Sequence, residues 1–158
     1  MIRFPLISNS TDFECLANEP DVALQYIASV PDPCQPVPDV LILPGTKSTI
    51  DDLAFLRSSG LETYARALRT NNVPVVGTCG EFQMLGTHIS GDDNVEAATP
   101  TVTGLGLLEV VTRFENRKQT VQVRGRRLSS GAEISGYEIH MGAIRANPKL
   151  TPIVSHHR

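Results

Sequence analysis

A chain of 158 residues, 41% hydrophobic and 20% charged, is long enough for one domain with a real core and too short for two. Fourteen Lys and Arg against seventeen Asp and Glu leave a formal charge of −3 without a basic cluster, which argues against a nucleic-acid or anionic-membrane surface. No apolar run has bilayer length and residues 1–5 lack the layout of a signal peptide, so a cytoplasmic globular protein is expected.

Residues 2–7 read as a strand, and Thr11-x-x-Glu14 as the cap of a short helix ending at Ala17. Residues 22–28 read as a further strand, after which Pro31, Pro33, Pro36 and Pro38 impose an extended connection. Val40-Leu41-Ile42-Leu43, stopped by Pro44-Gly45, is an apolar run expected to be a strand buried on both faces. Residues 73–78 form a second such run. Between them Leu53 and Ala54 mark one helix, and Leu61, Tyr64, Ala65 and Leu68 at i, i+3, i+4, i+7 mark the stripe of another. Ser59-x-x-Glu62 reads as a capping box for that second helix. A helix bearing Phe82, Leu85, His88 and Ile89 is expected next, then a polar loop over 90–103. Beyond it lie β-type runs at 107–111, 120–123 and 134–139, separated by Arg/Lys-rich stretches or Gly/Ser turns such as Ser129-Ser130-Gly131. No closing helix follows. The expected fold is α/β, a parallel helical half followed by a more antiparallel half.

Cys15, Cys34 and Cys79 are odd in number and irregularly spaced, giving neither a disulfide framework nor a metal knuckle. His88, His140, His156 and His157 complete no ligand set, so no metal is expected, and the last two read as a polar tail. Arg113, Arg117, Arg124, Arg126 and Arg127 read as a solvated strand face, or one turned to an acidic partner. Gly45-Thr46-Lys47-Ser48 has the tail of a phosphate-binding loop but lacks the required glycines, Thr46 and Leu41 standing in their places, so nucleotide binding is rejected there. Asn9-Ser10-Thr11 is a glycosylation triplet by coincidence, no secretion signal accompanying it.

Gly77-Thr78-Cys79-Gly80-Glu81-Phe82-Gln83-Met84-Leu85-Gly86 is the segment that carries chemistry. A strand running into a Gly-flanked cysteine and out into a helix is the layout of a nucleophile elbow. A helix N-terminus favours thiolate over thiol, and its unpartnered N–H groups can donate to a developing oxyanion. By spacing alone a cysteine filling space at a strand end is about as good an explanation. The flanking glycines favour the elbow, as does a second loop at 43–49 that can bring its own amides beside Cys79.

This decapeptide resembles the nucleophile motif of class I glutamine amidotransferases. Ser8-Asn9-Ser10-Thr11-Asp12-Phe13, Leu43-Pro44-Gly45-Thr46-Lys47-Ser48-Thr49 with Asp52-Leu53, Gly104-Leu105-Gly106-Leu107-Leu108 and Gly136-Tyr137-Glu138-Ile139-His140-Met141-Gly142 resemble landmarks of the cobyric acid synthase glutaminase domain, in family order. The resemblance implies a flavodoxin-like domain over 1–158 in which Cys79 attacks the side-chain amide of glutamine and water hydrolyses the resulting thioester. It places the oxyanion donors at the backbone of Gly45 and Gly80 and the substrate-binding residues at Gln83 and His140. His140 is also the interior histidine that can stand in as base, although a histidine held in structural hydrogen bonds accounts for it better. The ammonia would serve an ATP-dependent synthetase domain amidating adenosylcobyrinic acid a,c-diamide on the way to cobalamin. ATP and magnesium would belong to that domain, and no cofactor to this chain. The chain departs from the family pattern by carrying Glu81 where the pattern has glycine, and it contains no Gly-Thr-Tyr-x-His-Gly segment, where the family's catalytic histidine lies. It is therefore expected to lack the family's C-terminal segment and its N-terminal synthetase domain. The alternative is a non-catalytic fragment or pseudoenzyme that binds glutamine or a partner without turnover.

Overall fold

The computed structural model describes residues 1–91 and 101–157, with the backbone alone described at 10, 115–119, 140, 141, 156 and 157. A parallel sheet is built around β1 (Leu41–Leu43) and β2 (Val75–Gly77), paired Leu41↔Val75 to Leu43↔Gly77. Ile2 donates its N–H to the Ile42 carbonyl at 2.9 Å and forms a parallel bridge to Ile27 on its other side. The lateral order is therefore 27, 2, 42, 76, the second chain segment outside the first, as in a flavodoxin-like sheet.

Neither 2–7 nor 22–28 is a regular strand. The first is interrupted by a turn in which Ile7 N–H reaches the Phe4 carbonyl at 3.4 Å around Pro5, which has no N–H to give a ladder. That leaves the second only Met1 to Arg3 to pair with, through Ile27 N–H to Met1 O and Arg3 N–H to Ile27 O.

The short helix is present as a 3-10 turn at Ser10–Phe13 running into α1 (Glu14–Ala17), but Thr11 lies inside the turn and does not cap it. The Thr11 hydroxyl is spent on the Asn9 side chain.

Between β1 and β2 run α2 (Thr49–Ser58) and α3 (Leu61–Thr70). The α3 stripe is as expected, with Leu61, Ala65 and Leu68 buried. The capping box is not formed. Ser59 closes α2, its hydroxyl donating to the Leu56 carbonyl at 3.3 Å, and Gly60 (φ 76°) opens α3. Glu62 instead pairs with Arg57 and Arg66, each at 3.0 Å. Leu41 and Leu43 turn into one cluster with Leu53, Leu56, Leu61 and Leu68. Ile42 and Val76 share the opposite face, where Val76 is 44% exposed, so β2 is not buried on both faces.

After β2 comes α4 (Gly80–Met84), five residues long rather than a helix through Ile89. A Cβ on Gly86 would lie 2.5 Å from the Val110 carbonyl, so the distant strand crosses where a further turn would go. Residues 104–108 take over the helix's last carbonyls, Leu105 N–H donating to Met84 O at 2.7 Å and Leu107 and Leu108 N–H to Leu85 O at 2.9 Å. His88 and Ile89 pass into β3 (His88–Gly91), with His88 exposed.

The second sheet has the order β4-β3-β5-β6, with β4 (Thr101–Thr103), β5 (Val110–Arg127) and β6 (Glu133–Ala146). β3 runs parallel to β5, and the other pairs in this order are antiparallel. The ends of the expected loop over 90–103 are thus strand, and its residues 92–100 lie outside those described. β5 is continuous where Arg- and Lys-rich residues suggested a turn. A register shift between Arg113 and Lys118 absorbs the irregularity as a bulge within one strand. The turn at Gly131 (φ 71°) joins β5 to β6 as expected.

The expected C-terminal tail is strand β7 (Val154–His157), paired Arg124↔His157 to Arg127↔Val154 on the free edge of β5. Arg124, Arg126 and Arg127 are exposed, as a solvated face requires, and Arg126 meets Glu133 at 3.1 Å. Met84, Leu85, Ile89, Leu105 and Phe114 join the cluster that includes Leu41 and Leu43, so both sheets share one core. Among the described residues no helix is long and apolar enough to cross a membrane.

Candidate active site

The ends of β1 and β2 are tied together by Thr78 N–H, which donates to the Leu43 carbonyl at 3.1 Å. The chain then reverses through Cys79 at φ 57°, ψ −118°, and Glu81 N–H closes the turn on the Thr78 carbonyl at 3.1 Å. These torsions belong to the second residue of a type II′ turn, a position that favours glycine. Cys79 is exposed and free of any disulfide, so it does not fill space in a core. Its glycine neighbours are there for lack of room. A Cβ on Gly77 would sit 2.7 Å from the carbonyl carbon and oxygen of Glu81, and one on Gly80 would sit 2.6 Å from the Thr49 hydroxyl.

The loop leaving β1 lies against this turn. A Cβ on Gly45 would be 3.3 Å from the Cys79 Cβ and 3.4 Å from the Ser8 hydroxyl, so this backbone lies close against the thiol-bearing residue with little room for a side chain. The loop is clamped to residues 6–8. Ser8 donates both its N–H and its hydroxyl to the Gly45 carbonyl, each at 2.9 Å, and Lys47 N–H donates to Leu6 O at 2.9 Å. The Thr46 hydroxyl lies 3.2 Å from Leu6 O and also bonds the carboxylate of Asp52, a buried residue in the first turn of α2.

Burial pushes the Asp52 carboxyl above the usual aspartate range, against the Thr46 hydroxyl and the Leu6 backbone, which pull it down. A carboxyl that binds its proton more tightly when folded favours the folded state fully below the unfolded value of about 3.9, and this contribution is lost as pH rises through the folded value. Relative to Asp52→Asn, the native chain is therefore expected to lose stability as pH is raised from about 4 through the raised range, read by urea unfolding at a series of pH values. A gain over that interval would contradict the assignment.

Of the residues singled out in the sequence, Cys79, Gly45 and Gly80 meet at one place. Gln83, on α4, is only 6% exposed. His140 lies on β6 opposite Gln119, beyond the bulge from the stretch of β5 that adjoins β3, and its side chain is not among those described. Glu81 is wholly buried in the first turn of α4. The clamp by Ser8 and the Thr46–Asp52 contact were missed. The one sequence signal for them is the polar residues Ser8, Thr46 and Asp52 inside two landmark segments, with nothing to say that the segments touch.

A family model described as the CobB/CobQ-like glutamine amidotransferase domain matches residues 1–158. The chain is similar to the cobyric acid synthase of Moorella thermoacetica, 44% identical over 151 residues covering 90% of this chain and 29% of the relative. It is similar as well to that of Photorhabdus laumondii, 43% identical over 163 residues covering 98% and 31%. For the enzyme of Listeria monocytogenes the identity is 40% over 152 residues, covering 96% of this chain and 29% of the relative. The chain thus spans under a third of the length of these relatives. An elbow of this geometry, in a chain matched from end to end, makes it a member of the CobB/CobQ-like glutamine amidotransferase domain family.

Proposed function

We propose that this domain hydrolyses glutamine through a thioester on Cys79 and supplies the ammonia for amidating carboxylates of adenosylcobyrinic acid a,c-diamide in cobalamin biosynthesis. The observation that carries this reading is the exposed cysteine held at φ 57° beside the Gly45 loop. Strain of this kind persists only where the surrounding structure imposes it, and it tips the side chain out over the end of the sheet.

In the reaction, the Cys79 sulfur attacks the side-chain carbonyl carbon of glutamine and the carbonyl oxygen takes up negative charge. The backbone N–H groups of Gly45 and Gly80 stabilise that charge. The nitrogen takes up the proton that the Cys79 thiol gives up, the C–N bond breaks and ammonia leaves; water then attacks the thioester carbonyl, the C–S bond breaks, and glutamate and the free thiol are released. Gln83 and His140 are assigned to holding the glutamine. The acceptor chemistry, with its ATP and magnesium, belongs to an ATP-dependent synthetase unit that receives the ammonia.

One feature favours a second reading, a module that binds glutamine without turning it over. Wholly buried Glu81 stands in the elbow where the resemblance has glycine. Ammonia release from glutamine by the purified chain, with Cys79→Ala as control, separates the two. Release above the control is expected; a folded chain that binds glutamine yet releases none would leave only the second reading.

A further inference from the structure

The geometry points to Ser8 as a positioning residue for the oxyanion loop, acting through the Gly45 carbonyl. This rests on the glutaminase reading above. Gly45 leaves room for Cys79, since a Cβ there would press on the Cys79 Cβ at 3.3 Å. Glycine, however, rotates more freely about its backbone bonds than any other residue, so a loop that needs it there gains access and loses definition. Two donors from a single residue remove that freedom. The Ser8 N–H and hydroxyl both reach the Gly45 oxygen at 2.9 Å, from 37 residues earlier in the chain.

The consequence follows from peptide planarity. The Gly45 carbonyl and the Thr46 N–H lie on one rigid trans plane and point in opposite directions. Fixing the carbonyl on Ser8 fixes the Gly45–Thr46 plane, one of the two planes that hinge at the Gly45 Cα; the Gly45 N–H lies on the other, shared with Pro44, so a swing of the carbonyl plane changes what faces Cys79 beside that N–H. Without the hydroxyl, one donor is left and the plane can swing. A carbonyl turned toward the site would present its negative end to a developing oxyanion, opposing the charge that the N–H groups stabilise. The Ser8 N–H to Gly45 O and Lys47 N–H to Leu6 O bonds are the two bonds of the Ile7↔Thr46 bridge, so the Ser8 hydroxyl is the side-chain restraint added to that backbone pairing at the Gly45 carbonyl. Ser8 is exposed and outside the hydrophobic cluster, so its hydroxyl is removable without loss of core packing.

The test compares two reactions of Cys79, each read on its own peptide by mass spectrometry because Cys15 and Cys34 are also exposed and free. One is alkylation by a glutamine-mimicking diazoketone, whose carbonyl must occupy the oxyanion position. The other is exchange with an aryl disulfide, which has no carbonyl. Ser8→Ala is expected to slow the first by about three- to tenfold, the worth of one hydrogen bond, and to leave the second within about twofold. Ser8→Thr, which keeps a hydroxyl, is expected to hold the native ratio. Equal slowing of both reactions, or no slowing of either, in a chain whose wild type is labelled, would overturn the positioning role and leave the glutaminase reading intact. A wild-type Cys79 that exchanges with the disulfide but ignores the diazoketone would overturn the glutaminase reading and this inference with it.

Discussion

Cys79→Gly is expected to produce a chain that is more stable than the native one and has no glutamine-dependent ammonia release. At φ 57°, ψ −118° a residue with a Cβ is strained by about 1–3 kcal/mol, whereas glycine is at ease. Against that relief stands the extra freedom a glycine loses on folding, about 0.5–1 kcal/mol, so the net gain is about 1 kcal/mol. The exposed thiol contributes no core packing to offset it. Cys79→Ala keeps the Cβ and hence the strain, and its stability is expected to match the native chain. Urea unfolding of the three chains beside ammonia release would show stability and activity moving in opposite directions, the mark of a backbone held out of its preferred conformation for the sake of the side chain it presents. If glycine proves less stable than alanine at this position, the turn is not strained in the way its torsions indicate, and the main support for a catalytic Cys79 goes with it.

What was legible in the sequence is what short stretches encode by themselves. Gly77, Cys79 and Gly80 after an apolar run specify a tight strand-to-helix turn, and the spacing of Leu61, Ala65 and Leu68 specifies the buried face of α3. The hairpin turn at Gly131 is local in the same sense. The failures are contacts between distant residues. Ile2 sits between Ile27 and Ile42 through an isolated bridge on one side and one bond to the Ile42 carbonyl on the other, where residues 2–7 read as a full strand; Pro5 cuts the ladder short. The end of α4 is set by the Val110 carbonyl, twenty-four residues beyond Gly86, and not by its own residues, whose apolar spacing would continue the helix. Ser59 fits a capping box until α2 claims it. The site divides along the same line. Cys79 and the glycines around it were singled out, but the Ser8 clamp spans 37 residues and a hydroxyl–carbonyl contact leaves no periodicity to read. Strand β7 was missed because an edge is a property of the assembled sheet, with no local signature.

Gly77→Ala is expected to destabilise the chain by about 3 kcal/mol and to abolish diazoketone labelling of Cys79 even where the chain remains folded. The added methyl would meet the Glu81 carbonyl carbon and oxygen at 2.7 Å and the Phe82 nitrogen at 2.9 Å, all backbone atoms of the first turn of α4. No side-chain rotation relieves such a contact, so the helix or the strand must move. The helix is held at its far end by Leu105, Leu107 and Leu108 N–H, which bond the Met84 and Leu85 carbonyls, and on its flank by wholly buried Glu81 and Met84. The strand is held by the pairing of Gly77 with Leu43. The link between them that can yield is the turn itself, through Thr78 and Cys79, and a shift there moves the sulfur relative to the Gly45 loop. Gly136→Ala is the control, since nothing lies within 4 Å of a Cβ there, and it is expected to change stability by no more than about 0.5 kcal/mol. A Gly77→Ala chain that unfolds at the native urea concentration and is labelled at the native rate would mean that the packing of α4 on β2 does not set the geometry of Cys79.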